Sequence, residues 1–138
     1  TIVYTLSLHD ALPIYSLKSG AVATSVAHDS HNIITVGCND DDIAVAVNAI
    51  KDSKGGIAVV ENGKIKALLE LPIAGLMSDE PLTTVNEKLE NAKLSAYELG
   101  ADKSIDPFMT LSFLSLPVIP SLRITTKGVF DAENWKML

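Results

Sequence analysis

The sequence predicts an α+β (mixed α/β) domain in which a small sheet is covered by helices. Short runs of β-branched and aliphatic residues alternate with segments whose apolar positions recur at helical spacing, in the order β, β, α, β, β, α, α, β. Turn and cap residues fall between these segments rather than inside them. The chain is also the size of one core. At 138 residues, 47% hydrophobic and 20% charged, it buries roughly two-thirds of the surface its unfolded form exposes.

Ala21 to Ala27 and Ile33 to Val36 each have the length of a buried strand, and the polar string His28-Asp29-Ser30-His31-Asn32 connects them. Gly37-Cys38-Asn39-Asp40 ends the second strand, and Asn39 or Asp40 caps a helix whose first turn carries Asp41 and Asp42 against the macrodipole. Ile43, Val47 and Ile50 form its apolar stripe, Lys51 and Lys54 close it, and Gly55-Gly56 stops it. Ile57 to Val60 resumes as a strand. Asn62-Gly63 then turns the chain into a partner alternating Ile65, Ala67, Leu69 and Leu71 with Lys64, Lys66, Leu68 and Glu70. A second helix opens at Ser78 or Asp79 with Pro81 in its first turn, carries Val85, Leu89, Ala92, Ala96 and Leu99 on one face, and ends at Gly100. Asp106-Pro107 reads as the cap and first residue of a further helix. The apolar run Phe108 to Leu116 that follows has no period to separate helix from strand. Leu122 to Thr125 is a short strand, and Lys127-Gly128 turns.

Composition excludes several classes. Seventeen acidic against 11 basic residues, net −6, repel phosphates unless a basic face is segregated, and none is visible, so nucleic acid is not an expected partner. The longest uncharged run, Pro107 to Leu122, is shorter than the ~20 residues of a membrane helix and is interrupted by Pro117 and Pro120. No basic stretch precedes an apolar one at the N-terminus, which makes a cytoplasmic protein the expectation. Cys38 has no second cysteine to pair with and reads as a core residue.

Residues 1–16 form a leader to be set aside. Tyr4 to Ile14 is similar to one reading frame of a common sequencing adapter translated codon by codon, so the adjacent His9 and Asp10 are given no function. The chain opens at Thr1 without an initiator Met, and the expected domain runs over 17–138, with the sequence upstream of it missing.

Gly-rich phosphate loops, nucleophile elbows and Cys-x-x-Cys pairs are absent. His28, Asp29 and His31 remain as the ionisable cluster suited to chemistry near neutrality. Two His three apart supply too few ligands for a catalytic metal. Asp29 could orient an imidazole as a general acid or base, or both imidazoles could be polar turn residues bonded to backbone, and the residues alone leave both readings open. Gly75-Leu-Met-Ser-Asp79 is likewise either a helix cap or a helix terminus facing a ligand.

From Gly20 to Asp131 the chain resembles the C-terminal domain of bacterial-type adenine deaminases, in the amidohydrolase superfamily. Three blocks carry the resemblance: Gly20-Ala-Val-Ala-Thr-Ser-Val-Ala-His-Asp-Ser-His-Asn-Ile-Ile34, Leu71-Pro-Ile-Ala-Gly-Leu-Met-Ser-Asp79, and Asp106-Pro-Phe-Met-Thr-Leu-Ser-Phe-Leu-Ser-Leu-Pro-Val-Ile-Pro120. It implies a parent enzyme that hydrolyses adenine to hypoxanthine and ammonia with a divalent metal, manganese or iron. The metal sits in a (β/α)8 barrel whose ligands lie upstream of residue 17, so no metal ligand is assigned here and the domain alone is expected to be inactive. Its partners are then adenine, the barrel of the same chain and other copies in a homo-oligomer. On this resemblance His28, Asp29 and His31 are the candidate catalytic residues, and Ser30, Asn32, Met77, Ser78 and Asp79 the candidate substrate contacts. The competing expectation is a scaffold or oligomerisation domain whose polar loop only docks on the barrel.

Overall fold

A computed structural model describes residues 3–6, 16–29, 31–114, 116, 118–119, 121–125 and 127–138, with backbone alone for 3–6 and Ile124. Strands β1 (Val3–Leu6), β2 (Ala21–Thr24), β3 (Ile33–Gly37), β4 (Gly56–Glu61) and β5 (Lys64–Glu70) form one sheet in the order β1-β3-β2-β4-β5. β1 runs parallel to β3 and every other pairing is antiparallel. Helices α1 (Asp40–Asp52), α2 (Leu82–Glu98) and α3 (Pro107–Phe113) cover it. A small antiparallel sheet of β6 (Leu122–Thr125), β7 (Gly128–Asp131) and β8 (Lys136–Met137) ends the chain.

The period-2 alternation of the strands explains the layering. Ala21, Ala23, Ala58 and Val60 face α1, where Ile43, Ala46, Ala49 and Ile50 are buried. Val22, Ile34, Val36, Ile57, Val59, Ala67 and Leu69 face the other way, against Ala92 and Ala96 of α2, Leu99 at its C-cap, and Phe108 and Leu111 of α3. Alanines on the α1 side let that helix lie close. A Cβ on Gly37 would stand 2.7 Å from Ile43 Cγ1, so only glycine fits between strand and helix.

Local signals govern the ends of α1 and α3. Asn39 caps α1, its side chain accepting from Asp42 N–H at 2.8 Å. The Asp106 carboxylate accepts from the N–H groups of Phe108 and Met109, and Pro107 takes the first turn, so the ambiguous apolar run is helical as far as Phe113.

The start of α2 differs from expectation. Neither Ser78 nor Asp79 caps it: the helix begins at Leu82, with Pro81 as an extended N-cap and no side-chain cap bond. The residue before a proline is pushed out of the α region, which keeps Glu80 from joining the helix. Ser78 instead turns locally, its Oγ accepting from Glu80 N–H at 3.2 Å. A second departure lies in β5, where the register shifts between Val59 and Val60 and Ile65, beyond the shift, is 49% exposed. The turn at Lys127-Gly128 forms as read, but the tail folds back further as β8, with Trp135 edge-to-face on Phe130 at 5.2 Å.

Within the leader, β1 lies along the open edge of β3, from Val3 opposite Ile33 to Leu6 opposite Val36. His9 and Asp10 fall outside the described residues. No helix among the described residues is long and apolar enough to cross a membrane.

Candidate functional site

Antiparallel register gathers three loops at one end of the sheet. Thr24 lies opposite both Ile34 and Ile57, and Gly56 lies opposite Glu70. The connections 25–32, 53–55 and 71–77 therefore emerge side by side.

Ser25 ties them together. Its N–H donates to Gly56 O at 2.9 Å, its hydroxyl donates to Gly75 O at 2.6 Å, and the same oxygen accepts from Gly56 N–H at 2.8 Å. The glycine pair after α1 does more than stop a helix. Gly55 N–H donates to Ile50 O, closing the helix end. A Cβ on Gly55 would lie 2.2 Å from Gly75 Cα, so the two loops meet backbone against backbone. Sequence reasoning did not single out Ser25, because nothing within a turn's length of it signals partners this far along the chain.

Beside this junction is a cavity of about 190 Å³. His31, Lys51 and Lys54 line it together with Ser25, Gly55, Ala74 and Gly75, and Ile33 and Ile50 supply apolar wall. Lys54 (φ 62°) and Ala74 (φ 57°) are non-glycine residues in the left-handed region, next to Gly55 (φ 133°) and Gly75 (φ 75°). Such conformations cost free energy and persist where surrounding structure enforces them. His31 Nδ1 accepts from Ala27 N–H at 3.3 Å, which leaves Nε2 to carry the proton of the neutral ring. His31 thus presents a donor.

The candidate residues are spread over both faces of the sheet end. His28 is exposed, and its ring lies 3.9 Å from Phe113 of α3, tilted by 36°. His31, also exposed, lines the cavity beside the end of α1. Asp29 is exposed and makes no hydrogen bond to either imidazole among the described residues. Ser30 lies outside the described residues, and Asn32 is half-buried. In the second block the cavity is lined by Ala74 and Gly75 rather than by Met77, Ser78 or Asp79. Ile73 and Met77 exchange backbone hydrogen bonds at 3.0 and 3.1 Å. This bridge closes the loop and leaves Met77 57% exposed beyond it. Ser78 is half-buried and Asp79 exposed.

Among the described residues no three His, Cys, Asp or Glu side chains come together to hold a metal ion. Cys38 packs against the core, and burial, with Asp42 nearby, pushes its thiol above the usual range, which disfavours the thiolate a metal or electrophile would need. The divalent metal that the resemblance implies does not fit these residues.

Comparison with known proteins matches the chain to the adenine deaminase C-terminal domain family over residues 12–136. It is 50% identical to an adenine deaminase of Bacillus pumilus over 124 residues, covering 90% of this chain and 22% of that protein. It is 53% identical to one of Clostridium acetobutylicum over 125 residues (90% and 22%) and 55% identical to one of Desulfatibacillum aliphaticivorans over 119 residues (86% and 21%). The chain spans about a fifth of the length of these relatives.

Proposed function

This chain belongs to the adenine deaminase C-terminal domain family, and from that premise we propose that residues 17–138 serve an enzyme that hydrolyses adenine to hypoxanthine and ammonia. The divalent metal, manganese or iron, belongs to the catalytic barrel outside this domain, so the domain alone does not deaminate adenine. The loops at the sheet end lie over the barrel mouth and help hold the purine. The enzyme works in the cytoplasm, in purine metabolism, as a homo-oligomer.

The cavity beside His31 is the observation that carries this reading. Small-molecule sites enclose roughly 300–1,000 Å³, and about 190 Å³ is part of one, to be completed by a second surface. The His31 ring is held by Ala27 N–H at Nδ1, which leaves Nε2 for that surface. His28 favours the docking role for its half of the loop, because its ring is packed on Phe113.

Steady-state kinetics, metal content and thermal unfolding of the full-length enzyme test the assignment. His31→Ala lowers kcat/KM about ten- to a thousandfold, the loss expected for a positioned donor or acid/base group, with Tm and bound metal unchanged. His28→Ala lowers Tm and leaves kcat/KM near normal. Unchanged kcat/KM in His31→Ala would reject contact with the purine and leave the scaffold role for the whole loop.

A further inference from the structure

We infer that β3 is an interior strand in the parent enzyme, and that the slot along its outer side receives, parallel to it, a strand of the polypeptide upstream of residue 17. The inference rests on the reading that residues 17–138 are part of a longer adenine deaminase chain, and on none of the groups assigned to the purine.

The two margins of the five-stranded sheet differ in kind. Sheet edges are normally guarded by charged side chains, prolines or bulges, because a bare edge pairs with any extended chain. β5 is guarded in this way: it carries Lys64, Lys66 and Glu70, and its pairing with β4 shifts register between Val59 and Val60. β3 reads Ile33-Ile-Thr-Val-Gly37, with no charge, no proline and no bulge in its pairing with β2. Uncharged, β-branched runs of this kind belong to strands covered on both faces inside a sheet. Both faces of β3 are indeed covered. Ile33 joins the cluster under α1, and Ile34 and Val36 join the cluster under α2 and α3. What residues 17–138 do not supply is its second neighbour.

The leader gives the direction and reach of the missing strand. Val3–Leu6 lies parallel to β3, from Val3 opposite Ile33 to Leu6 opposite Val36, and close to β6 of the small sheet. Residues 7–16 join Leu6 to Leu17, so a segment that far upstream reaches the slot. An adapter-like sequence has no selected fit to β3, so what seats it is the row of backbone donors and acceptors that any strand edge offers. A native segment adds side chains fitted to both faces. The occupant is also close at hand. This chain spans about a fifth of the length of its relatives, and a segment of the same polypeptide meets β3 at an effective concentration that a separate partner does not match.

The test replaces residues 1–15 by the equally long segment that precedes the equivalent of Ser16 in the Bacillus pumilus relative, with a scrambled order of that segment as control. Amide hydrogen exchange and urea unfolding are followed in both chains. The native order is expected to slow exchange in Ile33–Gly37 at least tenfold, roughly, over the scrambled order. It also raises the urea midpoint by about 0.5 M. Exchange in β5, Lys64–Glu70, which gains no neighbour, slows less. Equal exchange and equal midpoints for the two orders would overturn the proposal. Slowing that disappears on dilution, with dimers in sedimentation, would overturn it as well, by placing the strand of one copy on β3 of another. No step uses deaminase activity, so failure here leaves the purine assignment of His31 standing, and the reverse also holds.

Discussion

The Ser25 hydroxyl donates to the Gly75 carbonyl at 2.6 Å across 50 positions of sequence, while accepting from the Gly56 N–H at 2.8 Å. One side chain therefore fixes the first residue of β4 and the loop after β5 to the end of β2. Ser25→Ala leaves a buried N–H and a carbonyl short of a partner, which costs about 1–3 kcal/mol. The expected result is a lower urea midpoint and faster hydrogen exchange at Gly56. An unchanged midpoint would mean that water replaces the hydroxyl without loss.

Gly55 and Gly75 separate two kinds of glycine requirement. At Gly55 an added Cβ meets Gly75 Cα at 2.2 Å and Leu71 O at 2.8 Å, all backbone, in addition to φ of 133°. At Gly75 the nearest atoms to a Cβ are 3.7 Å away, so the penalty is that of placing an L residue at φ 75°, about 1–2 kcal/mol. Gly55→Ala is expected to destabilise more than Gly75→Ala in denaturant unfolding. Equal losses would show that the two loops separate at little cost.

Asp42 joins α1 to the β4–β5 hairpin and sets part of the acid limb of stability. Burial, with the residue 2% exposed, pushes its carboxyl up. Hydrogen bonds from Gly63 N–H at 2.6 Å, Asn39 Nδ2 at 2.8 Å and the Asn62 backbone outweigh that and hold it below the ordinary 3.8. A depressed folded-state value stabilises the protein above 3.8 and loses that contribution as pH falls through the folded-state value. Asp106, held low in the same sense by its capping bonds and Lys93 against the opposing effect of burial, adds to the same limb. Asp42→Ala is expected to cost about 1.5–3 kcal/mol at neutral pH and to flatten the fall in unfolding free energy below pH 4. A variant as steep as the parent there would exclude Asp42 from the acid transition.

Much of this fold was legible because its signals are short-range. Asn39, Asp106 and Pro107 act within one helical turn, and Asn62-Gly63 acts within one hairpin, so these residues located α1, the start of α3 and the β4–β5 turn. The beginning of α2 was misjudged because two local rules compete there. Ser78 and Asp79 are good cap residues, but Pro81 forbids Glu80 the conformation a helix would need. The site was legible only as loops. That Ala74 and Gly75, rather than Met77 to Asp79, line the cavity follows from the Ile73–Met77 bridge and from the contact with Gly55, neither of which leaves a trace in the spacing of residues. That His28 meets Phe113 of α3 while His31 lines the cavity beside α1 depends in the same way on where the two helices pack, on opposite faces of one sheet.

The leader sets two expectations against each other, and they lead to one measurement. We propose that its pattern, similar to a translated adapter, was not shaped by this fold. Residues 17 and 18 are held without it: Leu17 is buried and Lys18 N–H donates to Leu99 O at 2.9 Å. Against this, Val3–Leu6 pairs with the edge of β3, and an uncovered edge is open to pairing with another chain. An edge strand contributes backbone hydrogen bonds that water replaces on removal, so its net worth is small beside that of the core. A chain beginning at Ser16 is therefore expected to unfold at the same denaturant midpoint as the full chain and to show more self-association at high concentration, read by sedimentation. A clear fall in midpoint with no change in association would mean that the leader packs as part of the domain and that the boundary at residue 17 is wrong.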